Sequence, residues 1–331
     1  MISGAQKLNP HLFDNDVEVE SLRLGFGEGL VEAARLDERV VGLTADLAES
    51  TKMDLFAKEF PNRFVEIGVA EQNMANVASG MAAMGKIPFM SSYAVFSPGR
   101  NWEQIRTTIC YNDQKVVIVG SHTGVSVGPD GGSHQALEDI ALMRVLPNIE
   151  VIVPCDFYEA EKATVAAAKS KKPTYLRLSR EKTPIITSPH SPFEIGKANI
   201  LRKPNKPKVA IIACGPLVYD ALMAAALLSS KDEIEAIVIN LHTIKPLDKE
   251  TLLFVGKETR AVVTVEEHQV AGGMGSAVAE FYATHLPLPI EFVGIKNEFG
   301  QSGKPKELLK YYGLDKDGIA NAARKVVTRI R

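Results

Sequence analysis

GVAEQNMANVASGMAAMG, residues 68–85, places one carboxylate, Glu71, at the mouth of an otherwise small and apolar helix. Apart from Gln72, the strongly polar residues between it and Gly85 are Asn73, Asn76 and Ser79. A carboxylate in that setting is costly to bury unless something bonds to it. Taken alone, Glu71 reads as a first-turn acid that complements the helix macrodipole. The runs on either side give it more weight.

RVVGLTA (39–45) and RFVEIGV (63–69) precede it; KVVIVGS (115–121) and IEVIVP (149–154) follow. Each is short, β-branched and closed by turn residues, as in a parallel sheet covered on both faces. Helical patterns lie between: LGFGEGLVEAARL (24–36), the Glu71 segment, NWEQIRTTICYN (101–112) and EAEKATVAAAKSK (159–171). This alternation predicts an α/β fold. The proline-rich segment 183–208 loses helical periodicity and reads as an interdomain crossing. The pattern then restarts with KVAIIACG (208–215), a helix from Pro216 to about Ser230, IEAIVINL (234–241), AVVTVEEH (261–268) and IEFVGIK (290–296). The expected organisation is two three-layer α/β domains: residues 1–185, a linker over 186–207, and a smaller domain over 208–331.

The chain has 331 residues, a formal charge of -2, 45% hydrophobic and 24% charged residues. That length supports two domains and a sizeable core. Near-neutrality argues against nucleic acid or an anionic membrane as the main partner. Cys110, Cys155 and Cys214 lie far apart beside apolar runs, with no metal or disulfide spacing, so buried thiols in a reducing cytoplasm are expected. The N-terminus lacks a signal pattern, and no apolar run approaches the ~20 residues of a membrane span.

Chemistry-bearing residues gather after the predicted strands. Tyr93 and Phe96, in SSYAVFSPGRNW (91–102), could present rings to one side of a flat heterocycle. SHTGVSVGPDGGSHQALEDIALMR (121–144) holds His122, Asp130 and His134 in a glycine-rich loop. Loops at the carboxyl ends of parallel strands are where such sheets bind ligands, and histidines there can bond substrate oxygens or shuttle protons. No cysteine or HExxH spacing supports zinc there, so no metal site is expected on this chain. Arg23, before LGFGEG, and Arg180, ending TYLRLSR, suit planar recognition of phosphate. The glycine run GGMGS (272–276) lacks nucleotide-fingerprint spacing and reads as a helix entry and a subunit contact.

At this point the chain resembles the C-terminal half of transketolase, the thiamine diphosphate enzyme. LTADLAEST (43–51), GVAEQNM (68–74), GPDGGSHQALEDIALMRVLPN (128–148), LHTIKPLD (241–248) and VVTVEEHQVAGGMGSAVAE (262–280) match in order across nearly the whole chain. The resemblance implies a pyrimidine-binding domain followed by the smaller transketolase C-terminal domain. The family's diphosphate-binding GDG motif does not occur in this sequence. The resemblance therefore implies a split enzyme. An N-terminal partner subunit would supply the GDG motif and hold Mg2+ (or Ca2+), most simply in an α2β2 heterotetramer, with a homodimer of this chain also possible.

The roles implied by the resemblance are specific. Glu71 matches the carboxyl group bonded to N1′ of the cofactor, where its apolar helix would disfavour the charged form. Tyr93 and Phe96 match the aromatic positions packed on the aminopyrimidine, and Asp46 an acid close to the thiazolium. Arg23, Ser50, His122 and Arg180 match positions that hold the substrate phosphate or neighbouring hydroxyls. Asp130 matches the position that bonds the hydroxyl next to the donor carbonyl, and His134 the position near the reacting carbonyl. The implied reaction is reversible transfer of a two-carbon ketol unit from a ketose phosphate to an aldose phosphate. Three other readings compete: a deoxyxylulose-phosphate synthase, suggested by IPFMSSYAVFSPGRNW; the β subunit of an α-keto acid dehydrogenase, suggested by HTIKPLD; and a non-enzymatic assembly or regulatory subunit.

Overall fold

The computed structural model describes residues 2–330. The β-branched runs form a seven-stranded sheet in the spatial order Thr243–Lys245, Glu150–Ile152, Thr174–Ser179, Val117–Thr123, Ile87–Tyr93, Val40–Thr44, Phe64–Glu66. Neighbours are parallel except at the Thr243–Lys245 edge. Alternate side chains enter opposite cores, as the two-residue strand period requires. Phe89, Val117, Val119, Leu176 and Leu178 pack on one face against Leu22, Phe26, Leu30, Ala160 and Ala163. Met90, Ile118 and Tyr175 pack on the other against Met74, Ala75, Ala78, Ile105 and Ile109.

The helix Leu22–Leu36 owes its glycines to packing. Added Cβ atoms at Gly25 and Gly29 would lie 2.2 Å from the Phe157 carbonyl oxygen and 2.6 Å from that of Glu161. Spaced one helical turn apart, these glycines let the helix Phe157–Lys169 approach closely.

The second sheet runs Ile290–Ile295, Val262–Gln269, Val209–Ala213, Ala236–Asn240, Asn199–Arg202, with only the last strand antiparallel. Its helices Val218–Asp232 and Lys316–Val327 bury Ala221, Leu222, Ala225, Ile319 and Ala323 on one face. Its other face is continuous with the first sheet's core, through Ala210, Ile212, Ile237, Ile239 and Met274.

The sequence reading is corrected in three places. Segment 186–207 is more than a linker, because Asn199–Arg202 is the edge strand of the second sheet. Thr243–Lys245 belongs by pairing to the first sheet, with Thr243 opposite Ile152. Residues 101–112 form a short turn, Trp102–Gln104, and then a π-helical segment, Ile105–Cys110, in place of one α-helix. The missed strands are only three or four residues long, too short to display a period. The three cysteines are free and buried, as expected. Among the described residues, no helix is long and apolar enough to cross a membrane.

The GGMGS run does enter a helix, Met274–His285. Its N-terminal N–H groups are taken by the chain's own Glu266, which accepts from Met274 N at 2.6 Å and Gly275 N at 2.8 Å. A Cβ on Gly273 would sit 2.2 Å from Glu266 Oε2, so the glycine makes room for that carboxylate. Burial pushes the Glu266 carboxyl up to about 7.

Candidate active site

The candidate residues sit where parallel strands end, the edge at which such sheets bind ligands. Asp46 follows Val40–Thr44, Glu71 follows Phe64–Glu66, Tyr93 ends Ile87–Tyr93, His122 lies near the end of Val117–Thr123, and Arg180 follows Thr174–Ser179.

Glu71 begins the helix Glu71–Ala83, and its side chain is 1% exposed. The cost of burying it is offset by specific partners. Arg100 Nη1 donates to its Oε2 at 2.8 Å, and Ser92 Oγ lies 3.4 Å from its Oε1. Asn101 Nδ2 donates to the Glu71 carbonyl at 3.0 Å and to Ser97 Oγ at 3.2 Å, tying the SPGRNW segment to the helix start. The sequence reading missed Arg100, Ser92 and Asn101. Nothing in the local pattern separates Arg100 from a solvated surface arginine.

Four rings form a cluster that Arg100, bonded to Glu71 and lying over Phe96, links to this carboxylate. Tyr93 and Phe96 lie nearly parallel, with centroids 6.1 Å apart and an interplanar angle of 14°. Tyr93 stacks on His122 at 3.8 Å, and His134 stands edge-on to Tyr93 at 6.2 Å and to Phe96 at 5.7 Å. The glycine-rich loop delivers the two imidazoles. His122 has a left-handed φ of 55°, and the loop continues through positive φ at Gly124, Gly128 and Gly131. Gln135, buried beneath it, donates to the carbonyls of Val125, Gly128 and Gln301. Glu267 accepts from Ser126 N at 2.5 Å and Ser126 Oγ at 3.1 Å, so the second domain holds the loop in place.

Arg180 lies 3.6 Å from Asp130 and donates to the Val127 carbonyl at 2.6 Å. Arg23 is committed differently from the simple phosphate-facing picture. Its Nη1 bonds the Ser50 carbonyl at 2.5 Å and its Nη2 the Arg180 carbonyl at 2.7 Å, leaving Nε buried with no partner among the described residues. Desolvation and the nearby Arg180 hold its guanidinium below the usual arginine range. Arg23 thus ties the Ser50 turn to the end of the Arg180 strand. Asp46 is exposed at a positive φ of 60°, and its carboxylate bonds to none of the cluster residues. Its backbone N–H is held instead by Glu66 Oε1 at 2.8 Å, the same oxygen that accepts from Gly68 N. Glu66 is a further positioning residue the sequence reading missed.

Burial, reinforced by Arg23, Arg180 and His134, drives the His122 imidazole down to about 3. The ring is therefore neutral across the physiological range. Its Nδ1 lies 2.8 Å from Ser121 Oγ. An unfolded imidazole takes a proton below about 6.5, whereas the folded one does not until about 3. The stability tied to this group is complete above 6.5 and drains away as pH falls from there toward 3. Nitrogen-15 NMR of the ring should show no His122 titration between pH 5 and pH 8; a midpoint near 6.5 would contradict the buried environment.

Comparison with known proteins places this geometry. The family model described as "Transketolase, pyrimidine binding domain" matches residues 20–185, and that described as "Transketolase, C-terminal domain" matches residues 196–319. A "Putative transketolase C-terminal section" from Methanocaldococcus jannaschii is 45% identical over 91% of this chain and 94% of its own length. The "6-deoxy-6-sulfo-D-fructose transketolase subunit SqwH" of a Clostridium is 38% identical over 96% and 98%. Human "Transketolase" is 37% identical over 93% of this chain but only 49% of its own. A solved structure titled "Split gene transketolase, inactive beta4 tetramer" superposes with a TM-score of 0.88 at 43% identity, covering 94% of this chain and 99% of that one.

A pyrimidine-binding α/β domain joined to a transketolase C-terminal domain defines one part of a thiamine diphosphate transferase. The chain belongs to the transketolase family, as a transketolase-type transferase chain of a split enzyme.

Proposed function

We propose that this chain transfers a two-carbon ketol unit between phosphorylated sugars together with an N-terminal subunit that supplies the GDG motif, the divalent cation and the diphosphate-binding surface. The observation that carries this reading is the buried Glu71 carboxylate beside the Tyr93, Phe96, His122 and His134 rings at the carboxyl edge of a parallel sheet. Thiamine diphosphate fits these residues, because a flat aminopyrimidine needs an aromatic face and a carboxylate at its ring nitrogen. When bound, it would supply the stabilised carbanion that the protein lacks.

This chain's own residues then have defined tasks. Glu71 holds or donates the proton at N1′, and Phe96 and Tyr93 fix the plane of the ring. Neutral His122 can donate or accept one hydrogen bond with a sugar oxygen without adding charge. His134 faces the same space and bonds the donor near its reacting carbonyl. Asp130 reads the neighbouring hydroxyl. Arg180 recognises the phosphate, with Arg23 and Ser50 shaping that end of the site and Asp46 standing toward the thiazolium.

The assembly proposed is an α2β2 heterotetramer in the cytoplasm. Val69, Met84 and Tyr111 support an interface along the Glu71 helix, since they expose 71%, 84% and 83% of their surfaces at its two ends and at the end of the π-helical segment.

The deciding assay mixes this chain with the GDG-bearing subunit, thiamine diphosphate and magnesium, then supplies a ketose phosphate and an aldose phosphate. Ketol transfer in the mixture, with neither chain active alone, is expected. Pyruvate decarboxylation in its place would assign the chain to a pyruvate-using relative. Arg180→Ala should weaken phosphorylated donors by about 1.5–3 kcal/mol relative to unphosphorylated ones. An unchanged ratio of kcat/KM between the two donor types would reject the phosphate assignment.

A further inference from the structure

We propose that Arg100 competes with the cofactor's aminopyrimidine for Glu71 and Phe96, and that its side chain must swing aside for the ring to be seated. The inference rests on the function proposed above and deepens it. It begins with shape and chemistry. A guanidinium is flat, carries N–H donors at its rim and stacks on aromatic faces. Arg100 uses both properties here: it donates Nη1 to Glu71 Oε2 at 2.8 Å, and its central carbon lies 4.7 Å from the Phe96 centroid. Those are the two contacts an aminopyrimidine asks of this chain. A ring that lies on the Phe96 face covered by Arg100 and bonds the Glu71 oxygen it holds cannot share that space with the guanidinium.

The surroundings permit a side-chain movement without a backbone one. Asn101 anchors the segment to the Glu71 carbonyl and to Ser97 Oγ. The Arg100 side chain is itself 48% exposed, and among the described residues its guanidinium makes no other hydrogen bond. Rotation about its own torsions therefore suffices. Until the ring arrives, the pair keeps the buried Glu71 carboxylate from standing without a counter-charge. The cost is paid in affinity: apparent binding is reduced by the fraction of molecules in which Arg100 has moved away.

The test uses the two-subunit complex with magnesium and follows thiamine diphosphate binding by calorimetry. Arg100→Met removes the planar cation while keeping most of its length. It should tighten cofactor binding by about two- to fivefold, the range expected for displacing a half-exposed ion pair. Arg100→Lys keeps the charge without the plane and should fall between wild type and Arg100→Met. A cycle combining Arg100→Met with Glu71→Gln in urea unfolding of this chain reads the pair directly and should show favourable coupling. Equal or weaker cofactor binding by Arg100→Met, with wild type binding normally, overturns the competition but leaves the proposed function standing. Failure of the wild-type complex to bind thiamine diphosphate removes both.

Discussion

Glu71→Gln is expected to leave the fold intact and reduce ketol transfer by about 10²–10⁴-fold, the range for losing a positioned acid–base group. The substitution is nearly isosteric: the Gln oxygen can still accept from Arg100 and its NH2 group can donate to Ser92 Oγ, so burial and packing change little. What an amide cannot do is exchange a proton with a ring nitrogen. Exchange of the cofactor's C2 proton in the reassembled complex, followed by NMR, isolates that step from substrate binding. Wild-type exchange by the variant would remove Glu71 from its role. Slow exchange with a folded, cofactor-bound complex would place the defect in proton transfer.

Arg177→Met should have the largest effect on stability, about 3–5 kcal/mol, because it strands a buried carboxylate. Arg177 is 3% exposed. Its Nε donates to Asp139 Oδ2 at 2.7 Å, and its Nη2 donates to Asp139 Oδ1 at 3.1 Å and to the Glu267 carbonyl at 2.9 Å. Tyr175 donates to the same carboxylate at 2.7 Å. Burial would raise the Asp139 carboxyl, but Arg177 and His268 more than reverse that and hold it below the usual aspartate range. Its contribution is present above the unfolded value and lost as pH falls through the folded one. Since Glu267 also pins Ser126, loosening this clasp should release the loop that carries His122 and His134. Urea denaturation of the isolated chain checks the magnitude, and Arg177→Met with Asp139→Leu should regain part of the loss. If the double variant is no more stable than Arg177→Met, the stranded charge is not the cause.

These two sites differ in how far they could be read from residues alone. Glu71 stands out because a lone acid in a small, apolar helix conflicts with ordinary patterning, and such conflicts mark function. Asp139, Arg177, Glu266 and Glu267 carry no such signal. They sit in ordinary strand or helix runs, and the Asp139–Arg177 and Glu267–Ser126 pairings join residues far apart in the chain. His122 was legible as a candidate, but its neutrality was not, because that depends on burial and on two arginines brought in from elsewhere, Arg23 on the helix Leu22–Leu36 and Arg180 at the end of Thr174–Ser179. Arg23 shows the opposite case: its residue type suited phosphate, while the fold commits both its terminal nitrogens to backbone carbonyls.

Local pattern was enough for the alternation of strands and helices, the parallel sheets, the loop at the strand ends and the acid at the helix mouth. Each depends on periodicity and turn chemistry within a few residues. Tertiary structure alone decided that Thr243–Lys245 crosses to the first sheet, that Asn199–Arg202 closes the second, and that Glu266, on a strand, caps the start of the helix Met274–His285. It also decided that Arg100 meets Glu71. Those outcomes depend on which distant groups share a low-dielectric space, where a buried charge must find a partner or forfeit its solvation.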